Sequence, residues 1–367
     1  MLAGSARASL PICRFGAHAS RRRVGARALS SAVFPERIPI YQVDAFAATT
    51  FKGNPAAVHP LESWLPDDTL LAIAAENNMT ETAFIIPRTD DSGDYDLRWF
   101  TPTLEVDMCG HATLASGAVV LSVLEPAQEE VGFHTRSGRL VVRSGGTCEV
   151  THCRYYTLDF PLWPVGAAVE PPPKLVHVLG GSKPTTSAPQ SDVLFDQIDT
   201  DQSNTIERSE LKEYLGKVGE IPCEALAAPW PTAAYEVAPM HGAPYYLFEY
   251  ASEADVQSLA PLFGEMEANV VATAPADPAP PGTPQCDFIS RWFGPLSGIP
   301  EDHVTGSAHT TLAPYWAERL GKRLMVARQI SKRGGTLRIE LKGDRVLISG
   351  PACFYMEGMV RVDPPDC

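Results

Sequence analysis

Three polar constellations in the sequence carry chemistry by type and spacing. The first is a sentence stated twice, RWFTPTLEVDMCGHATLA at 98–115 and RWFGPLSGIPEDHVTGSAHTTLA at 291–313. Each copy runs through a Pro-containing turn to a Gly, Gly110 or Gly306, that opens an Ala/Leu-rich helix. A small-residue loop entering a helix leaves backbone N–H groups unsatisfied, with the positive end of the helix dipole behind them. Two such ends facing one another make a seat for a carboxylate or another anion. His111 and Ser307, one residue after each Gly, would line that seat, as would Cys109 and Thr305, one residue before. A lone Gly of this kind is more simply a tight turn; two at matching places argue for a shared role.

The second constellation is one carboxylate in an apolar stretch, Glu81 in NMTETAFI. If 79–86 is a strand, Met79, Glu81, Ala83 and Ile85 share a face, and burial there would let Glu81 hold and release a proton near neutrality. Spacing alone favours the plainer alternative, an edge-strand Glu facing water. The third is acidic. Asp199, Asp201, Ser203, Thr205, Glu207 and Glu210 occupy places 1, 3, 5, 7, 9 and 12 of an EF-hand loop, the pattern that holds Ca2+. Asn204 stands in for the customary Gly at the sixth place, and Asn tolerates positive φ better than most residues. Apolar residues at helical spacing flank the loop, Leu194, Phe195 and Ile198 before it and Leu211, Leu215 and Val218 after it. The alternative is an acidic solvated helix that mimics the pattern.

The elements that must position these groups repeat with them. Strand-like segments precede both loops, 95–100 and 287–293, and helices follow, from His111 toward Leu121 and from Ser307 toward Arg319. Arg to Gly spans 12 residues in the first copy and 15 in the second, so one loop is longer by three. TRSGRLVV at 135–142 is echoed by SKRGGTLRIEL at 331–341, each a Gly turn leading into an alternating strand. The chain therefore contains a duplicated unit.

Composition bounds the function. With 44% hydrophobic residues, 367 residues can bury a large core, and by length the chain should hold two domains or one large one. The longest apolar runs, such as GAVVLSVL at 117–124, fall well short of the roughly 20 residues of a membrane span, so no membrane segment is expected. Residues 1–37 hold seven Arg and one acid, Glu36, the pattern of a mitochondrial or plastid transit peptide; without such a role the protein would be cytoplasmic. Without those 37 residues the formal charge falls from −14 to −20, which disfavours nucleic acid as a partner. Eight scattered cysteines without C-x-x-C, and nine histidines without H-E-x-x-H, support neither a disulfide scaffold nor a zinc hydrolase.

YQVDAFAATTFKGNPAAV (41–58), NNMTETAFI (77–85), the two repeats, TRSGRL and RGGTLRIELKGDRVLISG (333–350) together resemble the PhzF-like, phenazine biosynthesis-like family, relatives of diaminopimelate epimerase. The resemblance covers about residues 38–180 and 223–361. It implies an α+β fold of two similar domains, each wrapping strands round a central helix, with the active site between them. It reverses the reading of Glu81, which it makes the general acid/base of a cofactor-independent isomerase. It also implies that Asp302 binds substrate polar groups, with His111 and Ser307 orienting a carboxylate and handling protons, and a homodimer is the expected assembly. Asn54, in the turn Gly53-Asn54-Pro55, is read as a polar contact beside Cys109, Gly110, Thr305 and Gly306. Related racemases use two cysteines, but here Cys109 is matched by Thr305, which disfavours a two-thiol epimerase and leaves a Cys/Thr dehydratase as an alternative. The family commonly has Pro after the Asp, where this chain has His303.

The expected organisation is a leader at 1–37, a first domain at 38–165, a second at 166–184 and 223–367, and an EF-hand insertion at 185–222. The expected function is proton movement on a small amino- or hydroxy-carboxylic acid, with calcium bound in the insertion and no cofactor for catalysis. A calcium-binding interaction protein on an idle scaffold is the alternative from another class.

Overall fold

The computed structural model describes residues 36–147, 153–180, 229–240, 242–279 and 285–362. The leader, but for its last two residues, and the whole EF-hand segment 185–222 lie outside the described residues.

The first repeat runs β1 (Glu36–Ala45), β2 (Asn54–Pro60), α1 (Asp67–Asn77), β3 (Glu81–Pro87), β4 (Tyr95–Phe100), β5 (Glu105–Val106), α2 (Gly110–Val119), β6 (Glu130–Thr135), β7 (Gly138–Thr147) and β8 (Arg154–Pro161). After β9 (Val165–Val169) and α3 (Pro173–Val178) comes the second: β10 (Ala233–Met240), β11 (Ala243–Glu249), α4 (Glu253–Ser258), β12 (Asn269–Pro275), β13 (Phe288–Gly294), β14 (Ile299–Asp302), α5 (Ala308–Leu320), β15 (Leu324–Gln329), β16 (Gly335–Lys342) and β17 (Arg345–Val362). The strand pairings repeat as the elements do. β2–β3 and β11–β12 are parallel, β3–β4 and β12–β13 antiparallel, β4–β6 and β13–β15 parallel again.

In the first repeat the pairings close a ring, β1-β2-β3-β4-β6-β7-β8-β17 and back to β1. The last strand serves both halves: residues 345–352 of β17 pair with β8, and 352–362 with β1. In return β9, which follows β8, pairs with β10. This exchange ties the halves together, and the described residues form one compact unit.

All ten residues of α2 are buried inside the ring. Its sequence GHATLASGAV allows that, because it carries no Asp, Glu, Lys or Arg and mostly small side chains. In α5 Thr311, Leu312, Tyr315 and Trp316 are buried, while the exposed Glu318 and Arg319 come in the last turn. Ala112, Ala115, Leu312 and Trp316 belong to one continuous core. A second core packs Val176, Phe248, Val256 and Phe293, and a third packs Leu70, Phe84 and Phe100 beneath α1. Because β3 lies between α1 and α2, both its faces are buried, and its expected polar face is absent. The strand also starts two residues later than spacing suggested: Met79 sits in a bend, and Glu81 is the first strand residue. Among the described residues no helix is long and apolar enough to cross a membrane.

Candidate active site

The starts of α2 and α5 meet. A Cβ built on Gly110 would lie 2.9 Å from Gly306 Cα, and one on Gly306 would lie 3.2 Å from Gly110 Cα. The two glycines therefore permit close approach of the two helix starts to each other. Around this contact is a narrow cavity of about 30 Å³, lined by Glu81, Cys109, Gly110, His111, Thr305, Gly306 and Ser307, and farther out by Trp292, Ser297 and Asp302. The first amides of a helix have no intrahelical acceptor, so two sets of donors and two positive dipole ends converge here.

Local structure delivers each polar group. Helix α1 ends at Asn78, whose left-handed φ of 48° lets its N–H cap the Ala74 carbonyl, and the following turn places Glu81 at the head of β3. Gly53, at φ +63°, makes the turn into β2; a Cβ there would fall 2.1 Å from the Ala45 carbonyl oxygen. The next residue, Asn54, is fully buried. Its Nδ2 donates to Asp302 Oδ1 at 2.6 Å and Val304 O at 3.0 Å and faces His111 Nδ1 at 2.9 Å, while its Oδ1 accepts from Thr80 Oγ1 at 3.0 Å.

That network orients the imidazole. With the Asn54 amide set by Asp302, Val304 and Thr80, its NH2 group faces His111 Nδ1 at 2.9 Å and fixes the plane of the ring. Nε2 lies 3.0 Å from Glu81 Oε2, but off the line of a hydrogen bond, so both atoms keep directed bonding capacity for a third group. Glu81 is 7% and His111 2% exposed. Burial pushes the Cys109 thiol up to about 11, with the Glu81 charge adding to it, so Cys109 is a protonated thiol at neutral pH. For His111 burial opposes the charged form but is outweighed by the negative charge of Cys109 and Glu81, which raises it well above its ordinary value. Burial also raises Asp302 above the usual carboxylate range.

Glu81, Cys109 and His111 offer ligand atoms within 4.8 Å of one another. Cys109 Sγ approaches Nδ1, at 3.6 Å, whereas Glu81 approaches Nε2.

The second side of the cavity is tightly braced round Asp302. Asp302 accepts from Asn54, from the His303 N–H at 2.8 Å and from Thr305 Oγ1 at 2.6 Å. Gln329 reaches in from β15, accepting from Thr305 N at 2.7 Å and donating to Asp302 O at 2.9 Å. The residue that departs from the family's Pro thus supplies a backbone donor that Pro lacks. Spacing gave no sign of Gln329, which is 24 residues from Thr305, or of Thr80, a common residue in a turn.

Register explains the duplicated Arg-Trp-Phe. Arg98 forks onto Glu105 and Arg291 onto Glu301, each glutamate lying on the short returning strand opposite the Phe. The next pair is Trp99 with Val106 in the first copy and Trp292 with Asp302 in the second. Asp302 therefore occupies the place of an apolar residue. The three extra residues form the turn Pro295–Ser297 before it.

The family profile described as "Phenazine biosynthesis-like protein" matches residues 43–168 and 224–358. An uncharacterized isomerase of Pseudomonas aeruginosa is 37% identical over 329 residues, 89% of this chain and 99% of that protein. A phenazine biosynthesis-like domain-containing protein of Rattus norvegicus is 36% identical over 330 residues, 88% of this chain and 99% of its own. The crystal structure of a PhzF-family protein of Enterococcus faecalis superposes with a TM-score of 0.65 at 32% identity, covering 89% of this chain and all of that one. The chain belongs to the phenazine biosynthesis-like, or PhzF, family. It is an isomerase of that family, with the PhzF and diaminopimelate epimerase-like fold. The family match lapses between residues 168 and 224, the stretch that contains the EF-hand-like segment.

Proposed function

We propose that this PhzF-family isomerase moves a proton on a small amino- or hydroxy-carboxylic acid, with Glu81 as general acid/base and no cofactor for the chemical step. The observation that carries the reading is the Glu81 Oε2 to His111 Nε2 approach at 3.0 Å, in a cavity that both opposed helix starts line. The substrate carboxylate lies against the amides of Gly110, His111, Gly306 and Ser307, where two helix dipoles favour an anion. Glu81 takes the proton from the carbon next to the carboxylate, the carboxylate holds the electron pair, and a proton returns from Glu81 or through His111 to the opposite face of that carbon or, in an acid with a carbon–carbon double bond beside it, to the far end of the shifted double bond. Asn54 and Asp302 position His111 and the α5 start, and Ser307 orients the carboxylate. Cys109, a buried neutral thiol, and Thr305, whose hydroxyl donates to Asp302, shape the seat without acting as bases. That disfavours the Cys/Thr dehydratase.

A cavity of about 30 Å³ holds little more than a water molecule or two. Substrate entry therefore requires the two sides of the cleft to part, and on this reading they act as two domains, 38–165 and 166–184 with 223–367. The test is deuterium uptake from heavy water into a panel of small acids, followed by proton NMR. Exchange at the wild-type rate by Glu81→Gln would sink the proposal.

The same reading assigns Ca2+ to Asp199, Asp201, Ser203, Thr205, Glu207 and Glu210, a donor set of four carboxylates, a hydroxyl and a backbone carbonyl that fits that ion. It places the leader's destination in a mitochondrion or plastid and the assembly as a homodimer. Calorimetry with Ca2+ on wild type and Glu210→Gln tests the ion site; no heat in the wild type removes it. Turnover with calcium and with chelator then separates regulation from a passive module.

A further inference from the structure

Away from the cavity, two cysteines distant in sequence face each other across neighbouring strands. In the antiparallel pair β8–β17, Thr157 is opposite Ser349, Tyr155 opposite Pro351 and Arg154 opposite Ala352. Alternate residues share a face. Tyr156, Leu158 and Phe160 of β8 point into the core with Val346, Ile348 and Ala352 of β17. Thr157, Tyr155 and, one step past the last pair, Cys153 therefore stand on the outer face, against Ser349, Pro351 and Cys353. Side chains on that face touch across the strands, since Thr157 Oγ1 and Ser349 Oγ are 2.8 Å apart. On its other edge Cys353 is held in the sheet opposite Asp44 of β1. Both cysteines are free and half-buried, and Cys153 Sγ donates to the Ala48 carbonyl at 3.0 Å. Directly opposed residues of an antiparallel pair have Cα atoms about 4.5 or 5.5 Å apart, and a disulfide spans Cα separations of about 4.4–6.8 Å. Burial pushes the Cys353 thiol up to about 11, and the Cys153 thiol adds to that through its charge and a hydrogen bond, as two sulfurs in contact would.

We infer that Cys153 and Cys353 form a dithiol site that a small disulfide such as oxidised glutathione closes reversibly, fastening β8 to β17 where the ring of the first repeat closes. A thiolate of the pair attacks one sulfur of the reagent, whose S–S bond breaks and releases one half as a thiol. The second thiolate attacks the mixed disulfide and releases the other half. Two protein S–H bonds and the reagent's S–S bond are exchanged for one protein S–S bond and two small thiols, and excess small thiol reverses the exchange. Cys353 stands where β17 passes from β8 to β1, so the bridge joins strands that meet only on folding. It closes a long loop of the unfolded chain and thereby favours the folded state. The site owes nothing to the acid-isomerase reading, and neither cysteine lines the cavity between the helix starts.

The test treats the reduced full chain with oxidised glutathione, blocks remaining thiols with iodoacetamide and maps the digest by mass spectrometry, with melting curves on the same samples. The map should show one peptide pair joined through Cys153 and Cys353, lighter by two hydrogens and undone by excess reduced glutathione. The melting temperature of the bridged protein should rise by about 3–6 °C over the reduced form. In Cys153→Ser and Cys353→Ser the reaction should stop at a glutathione adduct on the remaining cysteine, without that rise. The wild-type map decides the site even where a variant fails to fold. No Cys153–Cys353 peptide, either cysteine bridged to a different one, a glutathione adduct that never resolves, or a bridge that leaves the melting temperature unchanged overturns the proposal.

Discussion

The starts of α2 and α5 share a scaffold and differ in chemistry. Both follow an Arg-Glu fork on a short returning strand, and both open on a glycine pressed against the other. At the first start stand Cys109, His111 and, from β3, Glu81, all ionisable. At the second stand Thr305 and Ser307, both neutral, with Asp302 committed to three donors. Duplication thus yields two helix starts of like backbone, and divergence gives them unlike side chains, so that the proposed function assigns proton chemistry to the first and recognition to the second.

Paired substitutions can break this division of labour. The largest effect is expected at Glu81→Gln, a loss of about 10²–10⁴ in turnover with an unchanged melting temperature, as for removal of a general acid/base. If Thr305→Val costs as much, the asymmetry is wrong. His111→Asn should cost about a hundredfold against about tenfold for Ser307→Ala, because the first removes Glu81's partner and the second one orienting group; kcat and KM measured for both decide it.

Stability sharpens the comparison on another axis, because each repeat buries a neutral histidine. His59, on β2, and His309, on α5, are each pushed down to about 4 by burial. The unfolded chain binds a proton at each near pH 6.5 and the folded chain does not, so their contribution is present above that pH and is lost as pH falls toward 4. The loss should be up to about 3 kcal/mol for each, read from denaturant melts at several pH values, with His59→Gln and His309→Gln each flattening the slope. Gly110→Ala and Gly306→Ala should destabilise alike, by about 1–3 kcal/mol, since each new methyl meets the opposite backbone. A large difference between the two would show that the helix starts do not meet as described. The smallest expected effect is at His303→Pro, which removes one of the three donors to Asp302; a loss of about three- to tenfold in kcat/KM is expected from one hydrogen bond of ordinary strength to a positioning residue.

Much of this was legible in the chain. The repeated Arg-Trp-Phe, the glycines at 110 and 306 and the hairpin at 135–142 announced the duplication, and Tyr95–Phe100 is the strand that alternation indicated. The placement of Glu81 was ambiguous because two-sided burial of β3 erases the period-2 signal that tells an inner face from an outer one. Gln329 and Thr80 left no local sign, since each acts on a residue brought near by folding.

What the sequence by itself determined is therefore local and repetitive: which segments are strands and helices, where a helix must open on a glycine, and that the unit occurs twice. Those features follow from periodicity, backbone sterics and spacing, which act over a few residues. Only the tertiary structure decided that Glu81 meets His111, that the two glycines touch, and that Asp302 takes the place of an apolar residue. Each of these depends on strand register and on the exchange of β17 and β9 between halves, and so on contacts as distant in sequence as Asn54 and Asp302, 248 residues apart. No short-range rule sets such a contact; the shared core that buries both helices does.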